Sequence, residues 1–245
     1  PDSPSSLIDH NDISGPSNGL YFKSSPGLTV TNNTISVAGD YGVYARYSSN
    51  SSFDNNDIQG FREYGLNVDN SDSVLVSNNT MTSHIPGGGG EFTYDQVNYD
   101  SWNMAISNIS SSGSVFVNNT IDMSQPDGSI HGIRTQDATI ENNTISLFSW
   151  DCYWFCNGGS FAISADRSTI SENVLDTHFT YCCSDEEYAI NSHGNEDATS
   201  VISNNTIHSS NSPYAAGIRA SHAEIHDNVI DAVARAVSIV GNSSV

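Results

Sequence analysis

The stretch VTNNTISV, residues 30–37, returns four times along the chain. VSNNTMTS stands at 76–83, VNNTIDMS at 117–124, IENNTISL at 140–147 and ISNNTIHS at 202–209. Taking the second Asn as an anchor extends the pattern to nine positions: Asn11, Asn33, Asn56, Asn79, Asn119, Asn143, Asn173, Asn205 and Asn228. Three residues before each anchor is an apolar residue: Ile8, Val30, Phe53, Val76, Phe116, Ile140, Ile170, Ile202 and Ile225. Two residues after it is another: Ile13, Ile35, Ile58, Met81, Ile121, Ile145, Leu175, Ile207 and Ile230. The shortest anchor spacings are 22 and 23 residues.

A period of that length, with short β-rich segments and no helical periodicity, is one coil of a solenoid. The two apolar positions lie five apart, an odd number, so a straight strand would send them to opposite faces. Both point inward only if the chain bends between them, and the bend is expected at the anchor, in the left-handed conformation that Asn tolerates. Stacked coils then bring the anchors about 4.8 Å apart. Each carboxamide can donate to one neighbour and accept from the other, forming a ladder, whereas a column of Asp would pile up like charges. The nine Asn are therefore structural.

A third inward position follows a small residue, as in Gly19-Leu20, Gly42-Val43, Gly65-Leu66, Ala105-Ile106, Gly132-Ile133, Ala162-Ile163, Ala189-Ile190, Gly217-Ile218 and Ala236-Val237. Three apolar columns make a triangular coil, and nine coils predict a rod of about 43 Å. The expected fold is all-β: a single-stranded parallel β-helix of about nine coils with an Asn ladder, occupying residues 1–245 as one domain. The apolar-x-x-Asn-x-Ile cores and the Gly-Ile partners resemble the right-handed parallel β-helix repeat proteins of the pectate-lyase-like superfamily, including the NosD-type periplasmic repeat proteins. The right hand is implied by that resemblance. The superfamily hosts lyases, hydrolases, epimerases, tailspikes and adhesins, so the resemblance implies a fold and not one activity.

From the anchor to the third apolar position the coils measure 9, 10, 10, 27, 14, 20, 17, 13 and 9 residues. The enlarged turns of coils four to eight should therefore lie side by side on one edge, where repeat proteins collect their binding loops. They hold the candidate sugar-stacking residues Tyr94, Tyr99, Trp102, Trp150, Tyr153, Trp154, Tyr181 and Tyr214. Aromatic faces beside carboxylates suit sugar rings. The alternative is a satellite core beneath long loops. Cys152, Cys156, Cys182 and Cys183 fall in two of these turns. A bridge between the adjacent pair would be strained, which favours two bridges between the turns, with zinc binding as the other use of the four thiols.

Candidate catalytic residues are Asp95, Asp100, Asp151, Asp185, Glu186, His131 and Arg134. Polysaccharide cleavage needs a carboxylate pair, or a base beside Ca²⁺ or Arg. Arg134 and Arg219 each follow a Gly-Ile pair and should emerge on one outer face. The hydrolase signatures Asn-Thr-Asp, Asp-Asp and Gly-His-Gly are absent as a set. No cofactor is expected. Ca²⁺ held by Asp185, Glu186 and Glu187 is an alternative, and three consecutive acids cannot all converge from an extended strand.

The chain carries 28 acids against 7 basic residues, a net charge of −21. That opposes nucleic acid and anionic lipid as partners. Acidic surfaces nearly free of lysine suit high salt, where the Debye length falls to about 3 Å at 1 M. A halophilic source is the expectation, with an ordinary acidic secreted protein as the alternative. No apolar run approaches the roughly 20 residues of a membrane span. The sequons Asn32, Asn50, Asn78, Asn108, Asn118, Asn142, Asn204 and Asn242 and the four Cys point outside the cell. Five of the sequons are by-products of the repeat.

The leading expectation is an extracellular surface or adhesive segment of a larger protein, recognising a glycan or surface protein at the enlarged edge. A polysaccharide lyase, hydrolase or epimerase and a virion spike are the alternatives. The end coils lack capping helices, which predicts further chain or end-to-end association.

Overall fold

The computed structural model describes residues 5–84, 103–125, 129–149, 159–179, 187–210, 216–232 and 235–241. Its strands form three parallel sheets of nine strands each. Every coil gives one strand to each sheet. Coil one supplies Leu7–Asp9 to sheet A, Asp12–Gly15 to sheet B and Leu20–Lys23 to sheet C. Coil nine supplies Ala223–His226, Val229–Ala232 and Arg235–Ile239 in the same order. The chain is a parallel β-helix solenoid.

Register follows the apolar columns. Ile8 pairs with Val30, Val30 with Phe53, and the column runs on to Ile202 opposite Ile225. Sheet B stacks Ile13 on Ile35 and ends with Ile207 on Ile230. Sheet C stacks Leu20 on Val43 and ends with Ile218 on Val237. These side chains form one continuous core, with Val30, Phe116, Ile133 and Ile190 fully buried. Each such side chain contributes about 1.5–3 kcal/mol by leaving water. A one-residue slip would turn a whole column outward, so burial sets the register.

The Asn ladder has all eight steps. Asn33 Nδ2 donates to Asn56 Oδ1 at 2.9 Å, and Asn56 Nδ2 to Asn79 Oδ1 at 2.9 Å. The polarity is constant to the last step, from Asn205 Nδ2 to Asn228 Oδ1 at 2.9 Å. Each acceptor oxygen also takes the backbone N–H of the Asn before it, as Asn143 Oδ1 takes Asn119 N at 3.0 Å.

One expectation about this corner is corrected. The left-handed residue is the one before the anchor, not the anchor itself. Positive φ occurs at His10, Asn32, Asn55, Asn78, Asn118, Asn142, Glu172, Asn204 and Asp227. That residue makes the bend and faces outward. The anchor then starts the next strand with its carboxamide inside. Asn at the bend is a matter of tolerance, so Glu172 and Asp227 can replace it; Asn at the ladder needs both a donor and an acceptor.

The small residue before the third column also has a packing cause. Gly42 and Val43 are consecutive inward residues. A Cβ on Gly132 would run into the Ala162 carbonyl oxygen and Ile145 Cγ2. The corner between sheets B and C has no room for more than Ala.

Candidate functional site

The strands that bracket the enlarged turns lie in register. On the leaving side, Phe148 pairs with His178 and His178 with Ser210. On the returning side, Asn103 pairs with Ile130 and Ser160 with Glu187. The long segments of coils four to eight thus leave sheet B and re-enter sheet C along one edge. Residues 85–102, 126–128, 150–158, 180–186 and 211–215 themselves lie outside the described residues. So do all eight aromatic candidates (Tyr94, Tyr99, Trp102, Trp150, Tyr153, Trp154, Tyr181, Tyr214), the four Cys and the acids Asp95, Asp100, Asp151, Asp185 and Glu186.

The described part of the edge is a strip on the outer face of sheet C. Met104, His131, Phe161, Tyr188 and Ala216 occupy one register column. Phe161, Tyr188 and Ala216 form a buried cluster separate from the main core. The rings of Phe161 and Tyr188 lie parallel with centroids 6.2 Å apart. His131 sits 5.4 Å from Phe161. The Arg219 guanidinium lies 5.4 Å over the Tyr188 ring, a geometry in which the ring quadrupole attracts the cation. Glu187 is buried at the start of the same strand, Glu187–His193. On the neighbouring sheet B, Phe148 stacks on His178 at 4.5 Å, and His178 Nδ1 meets Ser210 Oγ at 2.9 Å.

Arg134 and Arg219 share a second column, reading Arg134, Ser164, Asn191, Arg219. The shared face is as expected from the sequence. The two lie three coils apart, about 14 Å at the sheet spacing, so they do not converge on one point. His131 is fully buried, and burial first, then the Arg134 charge, lowers its pKa to about 3. It stays neutral through the physiological range, which makes it a poor proton donor in acid–base chemistry.

The sequons divide by burial. Asn32, Asn78, Asn118, Asn142 and Asn204 sit at the outward bend, and Asn50 is exposed on another turn. Asn108 is buried, and its Nδ2 donates to Val68 O at 3.1 Å and Ser71 O at 3.2 Å. A glycan on Asn108 has no room, which corrects that candidate. The sequon pattern does not distinguish inward from outward Asn. Asn242 lies outside the described residues.

Sequence reasoning missed the charge segregation. All seven Lys and Arg lie on strands of sheet C or within two residues of one: Lys23, Arg46, Arg62, Arg134, Arg167, Arg219 and Arg235. The strands of sheets A and B carry acids, among them Asp54, Asp57, Asp122, Glu141 and Asp176, and no Lys or Arg. Every described Tyr is also on sheet C or directly after one of its strands. Recording which apolar column each Arg and Tyr follows would have exposed this.

No three His, Cys, Asp or Glu converge on a point able to hold a metal among the described residues. No described helix is long and apolar enough to cross a membrane. Residues 1–99 match the family described as periplasmic copper-binding protein (NosD). The described residues supply no donor set for the copper of that description. No curated protein sequence matches the chain. Among solved structures, endopolygalacturonase I from Stereum purpureum in complex with two galacturonates aligns over 99% of this chain and 96% of its own, at 10% identity and a TM-score of 0.26. That likeness is too loose to say anything about a site. The chain is a three-sheet parallel β-helix whose residues 1–99 match the NosD family.

Proposed function

We propose that the chain is a carbohydrate-recognising β-helix working outside the cytoplasm, with its binding surface along the edge between sheets B and C in coils four to eight. The observation that carries this reading is the partly exposed column Arg134, Ser164, Asn191 and Arg219 on sheet C, with Arg219 over the ring of the buried Tyr188. It stands beside the edge from which five enlarged turns depart, four of them carrying Tyr or Trp. Aromatic rings bind the apolar face of a sugar, while guanidinium and carboxamide groups bond its hydroxyls. Sheet C gathers Tyr and Arg, the residue types that dominate binding energy at recognition surfaces. Sheets A and B carry acids that keep the rod soluble and dispersed. The periplasmic description of the matched family supports an extracytoplasmic setting.

The test is a glycan array probed with wild type, Trp154→Ala and Arg219→Ala. Binding by wild type that falls at least fivefold in both variants supports the reading. Equal binding by all three, or none by wild type, removes it.

A further inference from the structure

A second aromatic surface lies on coils one to three, ahead of the enlarged turns, and its Tyr64 pairs in register with Met104 of coil four. Tyr21 and Tyr44 pair in register, with parallel rings 4.7 Å apart. Tyr41 and Tyr64 do the same at 5.5 Å. An edge-to-face contact of 5.3 Å between Tyr41 and Tyr44 joins the two stacks. The strand Tyr41–Arg46 shows how this arises: Val43 and Ala45 point inward, while Tyr41, Tyr44 and Arg46 face outward. Tyr21 is 62% exposed.

The borders of this platform are charged in a fixed order. Asp40 and Glu63 stand at the strand entrances, while Lys23 and Arg46 pair with each other at the exits. The Arg46 guanidinium lies 6.0 Å over Tyr44 and 5.6 Å over Tyr47. In a chain of net charge −21, this patch sets cations beside carboxylates, with the Asp69 charge also acting on Arg46 and Tyr64.

We propose that the tyrosine platform of coils one to three is a second carbohydrate site, on the same face of sheet C as the edge strip, which takes a neutral sugar chain. Sugar hydroxyls both donate and accept. They can donate to Asp40 and Glu63 on one border and accept from Lys23 and Arg46 on the other, while the ring faces cover the Tyr edges between them. A uronate would meet Asp40 and Glu63 within the field of an acidic protein. A protonated amino sugar would meet Lys23 and Arg46. The phenol of Tyr41 already registers the acidic border: burial, then the Glu63 charge, raises its pKa to about 12. Neutral ligands avoid both repulsions.

The experiment is calorimetric titration of the full chain with neutral hexose oligomers, galacturonate oligomers and glucosamine oligomers. Wild type is compared with Tyr21→Ala, Tyr44→Ala and Arg219→Ala, and circular dichroism verifies folding. Neutral oligomers should bind, and each Tyr variant should weaken them by about 2- to 12-fold, the equivalent of one lost aromatic contact. Tyr21 is exposed on the first coil, so its variant keeps the fold even if Tyr44→Ala does not. Arg219→Ala should leave this binding in place. The proposal is overturned if neutral oligomers bind equally to wild type and both Tyr variants, if charged oligomers bind more tightly, or if nothing binds. Binding lost only in Arg219→Ala would leave the edge site standing and remove this one.

Discussion

Asn79 and Asn119 stand forty positions apart in the chain, yet Asn79 Nδ2 donates to Asn119 Oδ1 at 3.0 Å. Asn33 and Asn56, 23 positions apart, make the same bond at 2.9 Å. The long insertion between the first two leaves the ladder undisturbed, because it departs from another corner of the coil. The rod and its edge segments are thus separable: the rod supplies fixed attachment points, and the segments vary without disturbing the core.

That separation makes the ladder a test of stability alone. Asn119→Ala removes the acceptor used by Asn79 N and Nδ2 and the donor to Val76 O. Buried polar groups left unpaired cost about 1–3 kcal/mol each, so the loss should be about 3 kcal/mol, measured by urea unfolding. Asn118→Gly, one residue earlier, should change stability by less than about 0.5 kcal/mol, because Asn118 has φ 57° and glycine accepts that conformation freely. Equal losses in the two variants would mean that the bend and the ladder are not divided between them as described.

The corner between sheets B and C makes a second prediction. Gly132→Val places a branched side chain against the Ala162 carbonyl and Ile145, and overpacking of this kind costs about 1–3 kcal/mol. Thermal unfolding should show a lower midpoint. The reverse change at the matching position of the next coil, Ala162→Gly, should cost about 1 kcal/mol or less, from added unfolded-state freedom. A neutral Gly132→Val would show that the corner has space to spare.

Buried His131 links stability to acid. Its folded pKa of about 3 lies below the unfolded value, near 6.5. Below about pH 6.5 the unfolded chain takes up a proton that the folded chain refuses, so stability falls as pH drops toward 3 and is unaffected above the unfolded value. His131→Phe should flatten that part of the pH–stability profile. Imidazole NMR should show His131 silent between pH 5 and 8. A His131 signal that titrates near pH 6.5 would contradict its burial.

The sequence alone determined the coil. Nine anchors with apolar partners at fixed offsets leave one periodic solution, because each coil can hide its apolar residues only against the next. It also predicted that the long segments leave from one edge, since most of the length variation falls between the anchor and the third apolar position of each coil. The tertiary structure decided matters that depend on direction. It assigned the left-handed bend to Asn118 and its equivalents and the ladder to Asn119 and its equivalents, because adjacent identical residues differ only in which way their side chains point. It hid Asn108 while exposing Asn118, although each heads an Asn-x-Ser/Thr sequon. It gathered Lys23, Arg46, Tyr21, Tyr41, Tyr44 and Tyr64 onto one face. Those residues are scattered along the chain, and they meet only because stacking turns a separation of about one coil in sequence into about 4.8 Å in space.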